Sequence, residues 1–134
     1  MTREELNEYT HLETSLLAIR AEIEATYNTY KSPKFDWNFK NMSSNTGPTP
    51  RALERIEKLK ERCEEINKRL LEIETFVNSI DDPSIRAICT LHYLSGYTWE
   101  GTCLKLRNHK GAAVVSKQVQ QYFQKKGYET KADS

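Results

Sequence analysis

The sequence predicts an all-α protein: a long antiparallel coiled-coil hairpin followed by a three-helix helix-turn-helix module. Three observations predict it. Apolar residues recur at alternating intervals of three and four along two long stretches, the period that keeps one seam on one side of a helix. Residues that start and stop helices bracket those stretches and three shorter ones. Five Gly and four Pro among many Glu, Lys, Leu and Ile make a composition biased towards long helices.

The first long helix opens on Thr2 and Glu5, the spacing at which a hydroxyl and a carboxylate each satisfy a free backbone N–H. Tyr9, Leu12, Leu16, Ile19, Ile23, Thr26 and Tyr30 then form its seam, with Thr26 the one polar member. It should stop near Lys31, because Ser32 precedes Pro33 and a residue before proline is pushed out of helical geometry. Residues 31–49 read as a linker, rich in turn formers from Asn41 to Pro48. Phe35, Trp37 and Phe39 interrupt its polarity. They suit either packing against the helices or an exposed contact for a partner protein.

Thr49 caps the second long helix and Pro50 takes its first position. Its seam runs through Ala52, Ile56, Leu59, Cys63, Ile66, Leu70, Ile73, Val77 and Ile80. The charges between them read as a solvated face, not as catalytic carboxylates. At 1.5 Å per residue both helices are about 45 Å long, so they match well enough to fold back on each other. The same seam could instead pair with a second copy and make a homodimer; the sequence leaves both open. Residues 1–82 are thus expected to form the hairpin, and residues 83–134 the three-helix module with a short tail.

In that module Asp82 caps a helix with Pro83 at its first position, and Ile85, Ile88, Cys89, His92 and Tyr93 share one face. Gly96 is placed for a left-handed stop. Thr98 caps the next helix, Trp99 to Leu106. A turn over Arg107–Gly111 leads to the last helix, Ala112 to Lys126, with Val115, Val119, Tyr122 and Phe123 inward and Gly127 closing it.

Charge separates the two parts. Residues 1–82 hold 12 Lys/Arg and 16 Asp/Glu, a balance of −4, whereas residues 83–134 hold 8 basic and 3 acidic residues, a balance of +5. A basic terminal part faces something anionic, and charge alone does not choose between DNA, RNA and an acidic protein. The outward face of the last helix narrows the choice. It should carry Ala113, Ser116, Lys117, Gln120, Gln121 and Gln124. Lysine can reach guanine or a phosphate, glutamine can pair with adenine, and an alanine methyl can touch thymine. Lys110, Lys125 and Lys126 suit phosphate contacts. The expected DNA-binding set is therefore Lys110, Ala113, Ser116, Lys117, Gln120, Gln121 and Lys125, on double-stranded DNA.

Residues 83–126, entered through Asp82-Pro83 and continuing through His92-Tyr93-Leu94-Ser95-Gly96-Tyr97-Thr98-Trp99-Glu100, resemble the region 4 helix-turn-helix of bacterial sigma factors, the Gly96–Glu100 stretch most specifically. The whole layout resembles small phage transcriptional regulators of the RinA and ArpU type, which combine a coiled-coil N-terminal part, a Ser-Pro-x-Phe-Asp-like linker (here Ser32 to Asp36) and a sigma-like module. The resemblance implies a DNA-binding regulator of phage or prophage genes that contacts RNA polymerase, and it implies buried packing roles for Tyr97 and Trp99. Gly101 stands where the family usually has a second Glu, and Thr102 where an aliphatic residue is usual.

Other classes fare less well. Cys63, Cys89 and Cys103 are widely spaced, as are His11, His92 and His109, so neither a zinc site nor a disulfide framework is expected. There is no Ser-His-Asp arrangement or phosphate-binding glycine loop, so neither an enzyme nor a cofactor is expected. No apolar run suits a membrane span or a signal peptide, which points to a cytoplasmic protein. The competing reading is a coiled-coil interaction or adaptor protein, including a phage DNA-packaging small subunit, that does not read DNA sequence.

Overall fold

Helix is the only regular structure among the described residues of the computed structural model, which are 1–31 and 48–130, the side chains of 29–31 excepted. The elements are α1 (Arg3–Lys31), α2 (Pro50–Asn78), α3 (Pro83–Cys89), a π-helical turn (Thr90–Leu94), α4 (Trp99–Lys105) and α5 (Ala112–Lys125). The fold class is all-α, as the sequence predicts. Tyr30 of the seam and the linker aromatics Phe35, Trp37 and Phe39 lie outside what is described.

Local side-chain chemistry sets the helix starts. Glu5 N–H donates to Thr2 Oγ1 at 3.2 Å while Thr2 N–H donates to Glu5 Oε1 at 3.2 Å, a reciprocal cap. Thr49 Oγ1 accepts from Ala52 N–H, Asp82 Oδ1 from Ser84 and Ile85 N–H, and Thr98 Oγ1 from Gly101 N–H. A cap of this kind contributes about 1 kcal/mol.

The stops are equally local. Gly96 lies at φ 82° after the π-helical turn, and Gly127 at φ 79° after α5, a conformation a side chain disfavours. After Gly127 the chain makes both bonds of a Schellman motif: Tyr128 N–H to Phe123 O at 2.9 Å and Gly127 N–H to Gln124 O at 3.1 Å. The continuous helix expected from Pro83 to the Gly96 stop instead widens at Thr90. The Thr90 hydroxyl bonds back to Arg86 O at 2.8 Å, and Ser95 N–H reaches five residues back to Thr90 O at 3.0 Å. Such a back-bonding hydroxyl competes for the carbonyl of the helical ladder, and the widened turn is a π-bulge.

The chain divides into two compact units: Met1–Glu13 with Arg69–Ser134, and Thr14–Lys68. Both long helices contribute to both units, so the division differs from the boundary expected at residue 82. In the second unit Leu16, Ile19, Ile56 and Ile66 are buried, and Ala52, Leu59 and Cys63 are half-buried, as befits one seam. An Arg55–Glu22 ion pair flanks it. Thr26, the polar seam member, satisfies its hydroxyl on Glu22 O at 2.8 Å.

The first unit holds the larger core. Leu6, Tyr9, Leu70, Ile73 and Val77 from the long helices and Ile80, just past the end of α2, are buried together with Ile85, Ile88, Cys89, Tyr93, Cys103, Val115, Val119 and Phe123. Leu6, fully buried, extends the α1 seam one step earlier than the sequence pattern indicated. Phe76 lies off the α2 seam and faces the module: its ring sits 5.9 Å from that of Phe123 and 5.0 Å from that of Tyr128, both edge-on. Arg3 adds an ion pair, Nε to Glu129 Oε2 at 2.7 Å, with the Glu129 side chain only 13% exposed. Arg69 holds Glu5 at 2.9 Å and Glu8 at 3.6 Å. The expected short tail is therefore packed structure through Glu129.

Burial pushes the Cys89 thiol up to about 12, so it stays protonated and packs as a small apolar group. Thr102 is fully buried, and its hydroxyl has no hydrogen-bond partner among the described residues. An orphaned buried hydroxyl costs about 1–3 kcal/mol. Thr102→Val keeps the shape and removes the polar atom, so it should raise unfolding stability by about 1 kcal/mol; a lower urea midpoint would show that the hydroxyl is satisfied after all. Phe76→Ala should cost about 3 kcal/mol and loosen α5, read as faster amide exchange at Val119 and Phe123. Unchanged exchange there would mean that α2 does not hold the module.

Candidate nucleic-acid interface

α5 is fixed by one face and displayed by the other. Val115, Val119 and Phe123 are at most 1% exposed. Four residues apart on the far side, Ala113, Lys117, Gln121 and Lys125 are all exposed and form one stripe. Ser116, Gln120 and Gln124 form a second row along its flank and are half-buried. The expected set thus divides: Ala113, Lys117, Gln121 and Lys125 face outward, whereas Ser116 and Gln120 lie to the side. Lys110 is exposed in the turn before the helix.

Two inward or outward assignments change. Tyr122, expected inward, is half-buried at the edge of α5, where its hydroxyl donates to Asp81 Oδ1. Lys126, expected to contact phosphate, has its Nζ 2.7 Å from Asp81 Oδ2. Asp81 is 45 residues upstream, so no local pattern announces the pair. Among the described residues, Lys110, Lys117 and Lys125 take part in no ion pair.

Val114, 46% exposed beside the stripe, is a residue the sequence reading missed. With Val115 adjacent and buried, the adjacent position must point elsewhere, a signal available in helical periodicity alone. Two shallow grooves flank α3. One, of about 310 Å³, is lined by Gln118, Gln121, Tyr122 and Lys125 on one side and Asp82, Ser84 and Ile85 on the other. A second, of about 550 Å³, lies between α3 and the turn over 106–110. Ser84 lines both.

The α4 side positions aromatic groups. Trp99 is half-buried and stacks on His92, with ring centroids 3.6 Å apart and planes 17° from parallel. His92 Nδ1 lies 2.8 Å from Tyr97 O, so that nitrogen carries a proton and donates. Burial lowers the His92 pKa, and the bond to Tyr97 opposes the shift. Tyr97, for which the resemblance implies a buried packing role, is 38% exposed, and Lys105 Nζ lies 5.6 Å from its ring centre. Gly96, at φ 82°, ends the helical run just before Tyr97 and Thr98 caps α4 just after it, so Tyr97 belongs to neither helix. A Cβ on Gly101 would stand 3.2 Å from the capping Thr98 Oγ1, so glycine leaves room for the one-sided cap.

Among the described residues no group of three or more His, Cys, Asp or Glu is placed to hold a metal ion, and no helix is long and apolar enough to cross a membrane. Protein-family models, curated proteins and solved structures offer no match to the chain.

The Asp81 carboxyl is held at about 2 by the Lys126 ammonium first and the Tyr122 hydroxyl second. A lowered carboxyl stabilises the folded state above its ordinary 3.8 and loses that contribution as pH falls through about 2. The pair is exposed, so the shift itself is the better readout. Carbon-detected NMR titration should give an Asp81 midpoint near 2, and Lys126→Met should return it towards the ordinary value. An unshifted wild-type midpoint would show that Lys126 is free in solution.

Proposed function

We propose that residues 83–126 form a helix-turn-helix that binds double-stranded DNA through α5, and that the protein is a transcription regulator. The observation that carries this reading is the α5 stripe: Lys117, Gln121 and Lys125 exposed in one row while Val115, Val119 and Phe123 anchor the opposite face. In helix-turn-helix modules the second helix lies in the major groove with its N-terminal residues on base edges. On α5 those would be Ala113, Val114 and Lys117, with Gln121 one turn further. Methyl groups of Ala113 and Val114 suit thymine, and Lys117 suits guanine. Lys110 and Lys125, at either end, suit phosphates. Ser116 and Gln120 take the flank of the same surface.

The resemblance of Gly96 to Glu100 to sigma region 4 supports the same class and extends the proposal to phage or prophage genes, with RNA polymerase as a protein partner. A second reading has an observation of its own. Leu17 and Leu53, on α1 and α2 of the Thr14–Lys68 unit, are 66% and 47% exposed, which favours a protein partner or homodimer there. It predicts a mass in sedimentation that falls to one chain in a Leu17→Glu, Leu53→Glu variant, without effect on duplex binding.

Fluorescence anisotropy on labelled duplexes drawn from the gene's own upstream region tests the main reading. Binding should weaken with salt; the two lysine–phosphate contacts of Lys110 and Lys125 alone give a log–log slope of about −1.8. Lys117→Ala and Gln121→Ala should lower the preference for the best site by about 1–3 kcal/mol, whereas Lys125→Ala should weaken all duplexes alike. Absent or salt-insensitive binding would overturn the proposal.

A further inference from the structure

The turn before α5 contains an arginine in a conformation that glycine normally fills. α4 ends in a complete Schellman motif: Asn108 N–H bonds Cys103 O at 2.9 Å and Arg107 N–H bonds Leu104 O at 3.2 Å. The residue between the helix end and Asn108 must then be left-handed, and it is Arg107, at φ 53°. No other non-glycine among the described residues has a positive φ. A side chain there is disfavoured by contact with its own backbone, so glycine would serve the turn better. Residues held this way cluster at functional sites.

The surroundings suggest what Arg107 does. With His109 and Lys110 it lines the groove between the turn and α3, opposite Ser84. Arg107 is exposed, and among the described residues neither it nor Lys110 is in an ion pair. The facing α3 surface, Ser84, Ala87 and Ile88, offers no carboxylate. Ser84 also borders the groove that holds Gln121 and Lys125, whose one carboxylate, Asp82, accepts from the Ser84 and Ile85 amides. The two grooves are therefore neighbours, with uncompensated cations at both ends.

We infer that Arg107 and Lys110 grip one backbone phosphate of duplex DNA at the N-terminal edge of α5, opposite the phosphate held by Lys125. The inference rests on the DNA-binding reading and deepens it: the two grips fix how far α5 slides along the groove. Arginine suits the task because its planar fork can donate two parallel hydrogen bonds to one phosphate.

The conformation makes the test discriminating. Arg107→Gly and Arg107→Asn both tolerate a left-handed backbone and remove the cation, so stability and DNA binding should move apart. Each variant should melt at or above the wild-type temperature. Each should bind duplex DNA about five- to tenfold more weakly, with a shallower salt slope, by up to about 0.9 where Lys110 alone fails to hold the phosphate. Arg107→Lys should keep the slope, and Arg20→Ala, an exposed arginine on α1, should leave it unchanged. Wild-type slopes in the glycine and asparagine variants would overturn the inference while leaving the DNA-binding reading intact. Failure of the wild-type protein to bind any duplex would remove both.

Discussion

Burial of α5 against the last turns of α2 is the constraint on which the rest of the first unit depends. An isolated module of three short helices has little apolar surface to remove from water, and its helices are too short to persist alone. Here Phe76 supplies an edge-on aromatic contact to Phe123, and Tyr128 closes over both. The first turn of α1 joins through Leu6 and through the Arg3–Glu129 pair. With one side of α5 so fully committed, its other side has nowhere to go but solvent, and the exposed row follows from packing before any question of ligand arises.

The sequence was legible wherever the determining interaction is local. Thr2 with Glu5, Thr49, Asp82 and Thr98 all cap the helices they precede, because a short side chain can reach only the amides two or three residues on. Gly96 and Gly127 stop helices because few other residues enter that conformation cheaply. Distant partners were not legible. Phe76 breaks no periodicity, Glu129 looked like tail, and the Lys126–Asp81 pair spans 45 residues. The rule that helped at Gly96 hid the end of α4. The seam of left-handed geometry fell on Arg107, and the glycine further on, Gly111, instead precedes α5 without a side-chain cap.

The cations of the basic part are not equivalent. Lys126 is spent on Asp81 and Tyr122, and Lys105 lies over the Tyr97 ring. Lys110, Lys117 and Lys125 are exposed and outside every ion pair among the described residues, so their charge is available to an anion without breaking a bond within the fold. Counting lysines by segment treats them alike, whereas the geometry separates the paired ones from the exposed ones. The flank residues Ser116 and Gln120 are a milder case: helical spacing put them on the polar side, and the packing of neighbouring helices half-covered them.

Because Phe76 belongs to α2 yet completes the aromatic cluster around Phe123, the three terminal helices are not an autonomous cassette. Cut out as residues 83–126 and grafted elsewhere, they would lack the Phe76 and Tyr128 rings and leave one side of Phe123 open to water. Transplanting α5 with its two preceding helices would have to carry the end of α2 along, so the exposed row and the ring that backs it from α2 must change together.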